Sequence, residues 1–140
     1  MRLPICGQNW LPGKKTGTLP AWTRMIAVKR DDVILVLFPN SDLVTFKQRP
    51  ALVVQADNLG TGLPQAVVAM ITSNLARCGH PSRAFIALNS PQAAGSGLLT
   101  DSVIMGDNLA TVLNKAIVRK LGQLTDLKPV DSALRTTLSL

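Results

Sequence analysis

Histidine, cysteine and glutamate are scarce or absent in this sequence, and their scarcity excludes several kinds of chemistry. The 140 residues include one His, two Cys and eight acidic residues, all of them Asp. A structural zinc site needs four Cys or His ligands, which this chain cannot supply from its own residues. Paired glutamates for acid–base catalysis are excluded as well. Two cysteines cannot form a disulfide framework, so we expect Cys6 and Cys78 to be unpaired thiols, with a single bridge between them as the alternative.

The single histidine limits the choice of nucleophilic mechanisms. A Ser-His-Asp triad would have to use His80, which lies in the turn-like segment Cys78–Pro81. We expect an exposed loop histidine there rather than a general base. The chain also has no Gly-rich phosphate-binding motif with its lysine. The sequence therefore disfavours metal-dependent, nucleotide-hydrolysing and histidine-based catalysis, and we expect neither a metal nor a cofactor.

Long hydrophobic segments and aromatic residues are lacking too. Aromatic residues make up 4% of the chain, and Tyr is absent. The longest apolar run is Val33–Phe38, far short of the roughly 20 residues that cross a bilayer. The N-terminus has no apolar stretch of signal-peptide length. We therefore expect a soluble, cytoplasmic protein without membrane contact.

Positive charge is in excess, and it is unevenly distributed. The net charge is +7 and the isoelectric point is about 10.1, which favours a polyanionic partner. Residues 1–24 hold four cations and no acid, with several Pro and Gly, and show no periodic pattern. We interpret residues 1–24 as a flexible extension and residues 25–140 as one domain. More than half of the basicity belongs to the extension, so bulk charge is weak evidence for the domain's partner.

Short apolar segments bounded by turn residues predict a mainly β domain. The predicted strands are 33–38, 51–54, 66–71, 84–88 and 102–105, and the segments 109–113 and 117–124 are undecided between strand and helical turn. Near the end, apolar residues recur at the spacing of one helix face: they are Leu127, Val130, Leu134 and Leu138. Pro129 is tolerated in a first helical turn, and Asp126 or Thr125 could cap it. We expect a small β-barrel or sandwich with a C-terminal amphipathic helix.

Two polar clusters lie at the ends of predicted strands. Lys47, Gln48 and Arg49 precede one strand, and Thr72, Ser73 and Asn74 follow another. If these strands are neighbours, both clusters lie at one rim, where guanidinium and hydroxyl donors could bind a phosphate. The alternative is that all are ordinary solvated loop residues.

An acidic pair lies at the start of the first predicted strand. Asp31 and Asp32 could bind a cation, but neighbouring residues on a strand point to opposite faces. We therefore expect a solvated strand start.

Five segments in order resemble the MazF/PemK family of toxin endoribonucleases over residues 30–140. They are RDDVILVLFPNSD, KQRPALVV, AVVAMITSN, DSVIMGDNLATV and LGQLTDLKPVDSALRTTLSL. The resemblance implies an SH3-like β-barrel with a C-terminal helix, usually a homodimer. It also implies metal-independent cleavage of single-stranded RNA, in which the 2′-hydroxyl attacks the adjacent phosphate. The products carry 2′,3′-cyclic phosphate and 5′-hydroxyl ends, and the cleavage of mRNA inhibits translation and growth.

The resemblance assigns roles to particular residues. The catalytic residues of the family fall on Arg49 and Thr72. Arginine is a poor general base, because its pKa is above about 12, so we assign Arg49 mainly electrostatic stabilisation and positioning. The residues that the resemblance places at the RNA are Ser41, Asp42, Lys47, Gln48, Ser73, Asn74, Arg77, Asp107 and Asn108. The implied partners are the RNA and an acidic antitoxin, with DNA contacted only through the antitoxin.

Three departures from the family pattern leave other functions open. Asp31 replaces a usual Gly, Asn108 replaces Gln, and Ala110 replaces a common Arg. One alternative is a gyrase inhibitor of the CcdB-like branch, which would not need the Arg49–Thr72 pair. The other is a non-catalytic barrel that only binds nucleic acid or protein.

Overall fold

The computed structural model describes residues 27–57 and 59–140. The extension predicted for residues 1–24, and Cys6 within it, lie outside these described residues. The elements in chain order are β1 (Asp32–Pro39), β2 (Phe46–Val53), β3 (Gln65–Thr72), β4 (Arg83–Ile86), β5 (Ser102–Leu113), β6 (Ile117–Gln123) and α1 (Lys128–Leu138). Three short 3₁₀ helices cover Leu75–Arg77, Pro91–Ala93 and Asn114–Ala116.

The strands form one six-stranded antiparallel sheet in the order β4-β5-β3-β2-β1-β6. The expected mainly β fold with a C-terminal helix is therefore confirmed, and β4 and β6 are the edges of the sheet. Two segments predicted separately, 102–105 and 109–113, join in the single strand β5. The register against β3 passes from Met70–Met105 to Ala69–Leu109. The three intervening residues of β5 therefore bulge out of the ladder and do not end the strand.

Both faces of the sheet are covered by apolar side chains, which explains the unbroken apolar sequence of β1. Alternate residues on a strand point to opposite faces. Val33 belongs to one buried cluster with Leu52, Ile71 and residues of α1, whereas Ile34 belongs to a second with Ala51 and other strand residues. A strand buried on both faces needs a continuous apolar run rather than an alternating one.

Helix α1 packs on the first of these clusters. Val130 and Ala133 are buried, and Leu127 and Leu134 are packed against the cluster. Leu138 was expected on the same face, but it is 52% exposed because it lies at the last residue of the helix. Pro129 occupies the first turn, as expected. The Asp126 carboxylate accepts the Lys128 N–H at 3.0 Å, so Asp126 satisfies one of the free donors at the helix start.

Asp32 corrects the expectation of a solvated strand start, because the residue is 0% exposed. Its carboxylate accepts from the Lys29 N–H at 2.8 Å and from the Gln123 amide at 3.0 Å, and it pairs with the Lys120 ammonium at 3.1 Å. Burial alone would raise the pKa of Asp32, but these donors outweigh burial and hold the pKa below its usual value. Asp32 therefore connects the chain before β1 to the edge strand β6.

In the part of the chain that the structure describes, no helix is both long and apolar enough to cross a membrane.

Candidate functional site

A cleft of about 590 Å³ crosses four neighbouring strands of the sheet. Its lining comes from β3, β2, β1 and β6, and from the segment that leads into β5. The residues are Leu35, Lys47, Gln48, Arg49, Pro50, Ile71, Thr72, Ser73, Gly97, Leu98, Leu99, Thr100, Ser102, Arg119 and Leu121. The two polar clusters that the sequence placed at one rim are therefore brought together, and both catalytic candidates line the cleft.

The strand register explains why Arg49 and Thr72 lie opposite each other. The β2–β3 ladder pairs Ala51 with Met70 as its last rung. Extended by two residues in each strand, the same register sets Arg49 opposite Thr72. The paired ladder does not reach that point, so the two side chains flank an opening where the strands have stopped pairing.

Lys47, Gln48 and Arg49 lie within β2, not in the loop before it. They pair with Phe38, Leu37 and Val36 of β1. The expectation that these three residues precede the strand is therefore wrong, because β2 begins at Phe46. A regular strand fixes the direction of a side chain more firmly than a loop does, which favours a defined position for Arg49.

The cleft is positively charged. Lys47, Arg49 and Arg119 line it, and its lining has no Asp, Glu or His. The ion pairs among the described residues involve other cations, namely Arg30, Arg83 and Lys120. Arg49 has a 3.5 Å contact from Nη2 to the Asn40 amide oxygen, which leaves most of its donors available for a ligand.

Thr72 and Asn74 have local hydrogen bonds at the end of β3. The Asn74 N–H donates to Thr72 Oγ1 at 3.1 Å, and Asn74 Oδ1 in turn accepts the Ala76 N–H at 3.1 Å. The Thr72 hydroxyl proton remains available to donate to a bound anion. Asn74 itself does not line the cleft and caps the 3₁₀ helix that follows.

The first inter-strand loop also lies outside the cleft lining. Ser41 and Asp42 are exposed there. The Asp42 carboxylate accepts the Thr45 and Val44 N–H groups and the Thr45 hydroxyl. These bonds, with the Thr45 N–H as the largest influence, lower the pKa of Asp42. The observed role of Asp42 is therefore to hold the loop.

Asp107, Asn108 and Arg77 are not gathered at the cleft either. Asp107 accepts a bidentate pair of hydrogen bonds from Arg83, at 2.8 and 3.2 Å. The Arg83 hydrogen bond holds the pKa of Asp107 below its usual value. Asn108 donates to the Met70 sulfur at 3.5 Å, and the Arg77 carbonyl accepts from Arg83. These contacts brace the bulge of β5 against β3 and β4.

His80 lies in an exposed turn, as expected from the sequence. Its Nδ1 accepts the Ser82 N–H at 3.1 Å and lies 2.7 Å from the Ser82 hydroxyl. Residues 27–57 and 59–140 contain no group of three or more His, Cys, Asp or Glu that could hold a metal ion.

Sequence reasoning missed three polar residues that line the cleft, Arg119, Thr100 and Ser102, and the apolar Leu99 at its rim. Arg119 lies opposite Leu35 of β1, 70 residues from the Arg49 segment. Leu99 is 92% exposed at the cleft rim. The adjacent cations Arg119 and Lys120 could have indicated a cationic residue at the cleft, but the sequence does not show which of the two lines it.

Comparison with known proteins identifies the family. The PemK-like, MazF-like toxins of type II toxin–antitoxin systems match this chain over residues 29–138. The chain belongs to this family. The resemblance inferred from the five sequence segments is therefore confirmed, and the match begins three residues before the buried start of β1 and ends at the last residue of α1.

Solved structures of PemK/MazF-family toxins have the same fold at low sequence identity. A mycobacterial endoribonuclease in complex with its cognate antitoxin is 21% identical, with a TM-score of 0.63 over 81% of this chain and 97% of its own. The Mycobacterium tuberculosis toxin MazF-mt6 is 22% identical, with a TM-score of 0.61 over 78% and 97%. MazF from Deinococcus radiodurans is 16% identical, with a TM-score of 0.62 over 82% and 99%. The fold is therefore MazF-like.

Proposed function

We propose that this toxin is a metal-independent endoribonuclease that cleaves single-stranded RNA in the Arg49–Thr72 cleft. The observation that carries the proposal is the cleft itself: it gathers Lys47, Arg49 and Thr72 on adjacent strands and contains no acidic side chain. Such a site favours a polyanion whose reactive phosphate needs cationic and hydroxyl donors. The cleavage of mRNA would inhibit translation and growth, as expected of a toxin.

The reaction requires charge stabilisation more than proton transfer from a carboxylate. The RNA 2′-hydroxyl loses its proton and its oxygen forms a bond to the adjacent phosphorus. The bond from phosphorus to the 5′-oxygen breaks, and that oxygen takes up a proton. The products are a 2′,3′-cyclic phosphate and a 5′-hydroxyl, so no water is consumed. Negative charge grows on the phosphoryl oxygens, where Arg49 and Thr72 donate hydrogen bonds.

Arg49 supplies the positive charge and the geometry. Its planar guanidinium can donate two parallel hydrogen bonds to a phosphate, and strand pairing with Val36 holds its backbone. A guanidinium is not deprotonated in proteins, so Arg49 does not act as the base that takes the 2′-proton. Donors aimed at a developing oxyanion each lower the barrier by roughly 3–4 kcal/mol.

The cleavage of a defined single-stranded RNA in the presence of EDTA tests the proposal. We expect the wild-type protein to cut it and to leave 5′-hydroxyl ends that polynucleotide kinase labels without prior phosphatase treatment. Arg49→Ala should reduce the rate about 10²–10³-fold, as removal of an oxyanion donor does elsewhere. Arg49→Lys keeps the charge but loses the bidentate geometry, and should recover only part of the rate.

Two controls separate chemistry from folding. Arg135→Ala removes one exposed cation on α1, outside the cleft, and should cut RNA at the wild-type rate. An RNA with a single 2′-deoxy substitution at the mapped cleavage position should resist cleavage there. Undiminished cleavage by Arg49→Ala would exclude the assigned site. Inhibition of gyrase supercoiling without RNA cleavage would instead favour the CcdB-like function, and RNA binding without cleavage would favour a non-catalytic barrel.

An acidic antitoxin is the partner that this cleft fits, and a homodimer is the expected assembly. Support comes from the cationic lining, and from a relative of the same fold that was solved as an endoribonuclease in complex with its cognate antitoxin. Contact with DNA would come through the antitoxin alone. Co-expression with the product of the neighbouring gene should abolish RNA cleavage, and unchanged cleavage by the co-purified complex would contradict this partner.

A further inference from the structure

Asn40 has its side chain next to the proposed catalytic arginine. Val36 and Phe38 of β1 are buried on one face of the sheet, and Asn40 follows them at the same two-residue spacing. Arg49 pairs with Val36, so its side chain leaves the sheet on that face, as does that of Thr72 opposite Arg49 in the extended register. Arg49 Nη2 lies 3.5 Å from Asn40 Oδ1. The arginine side chain therefore extends along β2 towards the first inter-strand loop, where the asparagine can hold its end.

A chain of three hydrogen bonds leads from Arg49 to Asp42. Arg49 donates to Asn40 Oδ1, and Asn40 Nδ2 donates to Thr45 Oγ1 at 2.9 Å. The Thr45 hydroxyl donates to Asp42 Oδ2 at 2.8 Å. Every donor points in the same direction, from the cation to the carboxylate, and hydrogen bonds in such a chain polarise one another. The guanidinium is thereby connected to the carboxylate that holds the loop.

The single proton of the Thr45 hydroxyl fixes which way the Asn40 amide faces. That proton is donated to Asp42, so the Thr45 oxygen can only accept a hydrogen bond from Asn40. The amide must then turn its NH₂ group to Thr45 and its oxygen to Arg49. A reversed amide would direct its own N–H at the guanidinium, which has no acceptor. The loop therefore presents an oxygen to Arg49.

The first inter-strand loop does not need the Asn40 amide to close. Its backbone closes by itself, because the Asn40 N–H donates to the Thr45 carbonyl and the Leu43 N–H donates to the Asn40 carbonyl, both at 2.9 Å. The Asp42 carboxylate also accepts two backbone N–H groups of the loop. The side chain of Asn40 is therefore available for another role.

We infer that Asn40 is a positioning residue, which holds the Arg49 guanidinium in place for the reacting phosphate. The inference rests on the endoribonuclease function, because it takes Arg49 as a donor to that phosphate. Holding the side chain before RNA binds reduces the ordering that the reaction must supply. The 3.5 Å contact is the longest in the chain, and contacts of catalytic groups are often long until the substrate binds. Thr45 acts one contact further away, by orienting the amide.

Steady-state cleavage by variants of Asn40 and Thr45 tests the role of the chain. Asn40→Ala should lower kcat about 5–10-fold, the lower end of what a hydrogen bond to a charged group is worth, and leave KM within about 2-fold of wild type. Thr45→Val removes the hydroxyl at nearly constant volume and should lower kcat about 2–4-fold, whereas Thr45→Ser keeps the hydroxyl and should match wild type. The matched controls Asn89→Ala and Thr111→Val change exposed residues outside the cleft and the loop, and should alter neither constant.

A double-mutant cycle separates an action through Arg49 from a general effect on the fold. If Asn40 works by holding the guanidinium, Asn40→Ala should change the rate by less than about 1.5-fold in the Arg49→Ala background. A purely structural residue would lower the rate by the same factor in both backgrounds. That result would overturn the inference, and so would a wild-type kcat in Asn40→Ala.

The motion of the guanidinium gives a readout that does not depend on cleavage. The Nε–Hε signal of Arg49 can be assigned by its loss in Arg49→Lys, and its nitrogen-15 relaxation in the RNA-free protein reports motion on the picosecond to nanosecond timescale. We expect the order parameter to fall in Asn40→Ala and in Thr45→Val, and to keep its wild-type value in Asn89→Ala. An unchanged order parameter in Asn40→Ala would overturn the inference, even if RNA cleavage is confirmed. If the wild-type protein does not cleave RNA but the order parameter still falls, the endoribonuclease function fails and the positioning of Arg49 stands.

Discussion

Asp32→Asn removes one negative charge from a site that excludes water, while the shape of the side chain stays the same. The wild-type carboxylate is buried and satisfies three donors, at 2.8, 3.0 and 3.1 Å. An asparagine has one oxygen to accept a hydrogen bond, and its own NH₂ group would point at a donor. Hydrogen bonds to charged groups contribute about 1.5–3 kcal/mol each. Lys120 is 41% exposed, so its ammonium can regain water and offset part of the loss.

The expected cost of Asp32→Asn is therefore about 2–3 kcal/mol of unfolding free energy at pH 7. Asp32→Ala leaves all three donors without a partner, and should cost about 3–5 kcal/mol. Urea unfolding measures both, and a loss of 2–3 kcal/mol lowers the midpoint by roughly 1–1.5 M. Asp126→Asn is the matched control: Asp126 is only partly buried and its bond to the Lys128 N–H can be replaced by an amide oxygen, so the change should stay within about 0.5 kcal/mol.

The pH dependence of the cost follows from the lowered pKa of Asp32. A carboxyl whose pKa is lower in the folded state stabilises the fold above its unfolded pKa, and this stabilisation is lost as the pH falls through the folded value. The difference between wild type and Asp32→Asn should be largest near pH 6–7 and shrink below about pH 4. A loss under about 0.5 kcal/mol at pH 7, or one that is constant between pH 7 and pH 3, would refute the reasoning.

Two further stability predictions concern backbone geometry. Asp31 has a φ of 86°, which favours Gly, so Asp31→Gly should stabilise the protein by about 0.5–1 kcal/mol after the entropy cost of glycine is subtracted. Burial is the main cause that raises the pKa of Asp31, so the gain in urea unfolding should be larger at pH 7 than at pH 4, and a loss would contradict this account. A Cβ on Gly122 would lie 2.2 Å from the Gly95 carbonyl oxygen, so Gly122→Ala should cost about 2–3 kcal/mol, and a thermal midpoint equal to wild type would exclude the clash.

The strands and the helix were predictable because their signals are local. The apolar run of β1 and the i, i+3, i+7 spacing in α1 can be recognised in each segment alone, without knowing which elements it packs against. The burial of Asp32 was not predictable, because an acidic residue at the start of a strand is usually solvated. Its burial depends on Lys120 and Gln123, about 90 residues later, and only the β1–β6 pairing brings them to it.

The site was half predictable for a similar reason. Arg49 and Thr72 could be named from short motifs, and the structure places both in one cleft. Asp107 was named from the same kind of motif, but its partner Arg83 is provided by β4. Arg119 could not be named, because a one-residue shift in the register of β6 would have turned it away from the cleft and Lys120 towards it.

The Arg49-Pro50 step itself helps to explain why the cleft lies where it does. Proline has no N–H, so Pro50 has no donor for a ladder on either side. The β2–β3 ladder includes Ala51, Leu52 and Val53, and ends before Pro50 is reached. The β1–β2 pairing continues past Pro50 to Phe46, so β2 stays attached to β1 while it separates from β3. Arg49 is thus the first side chain beyond the point of separation that can face Thr72. Pro50 prevents β2 from pairing with β3 beside the position where Arg49 provides a positive charge. This is a physical reason for the two residues to occur together.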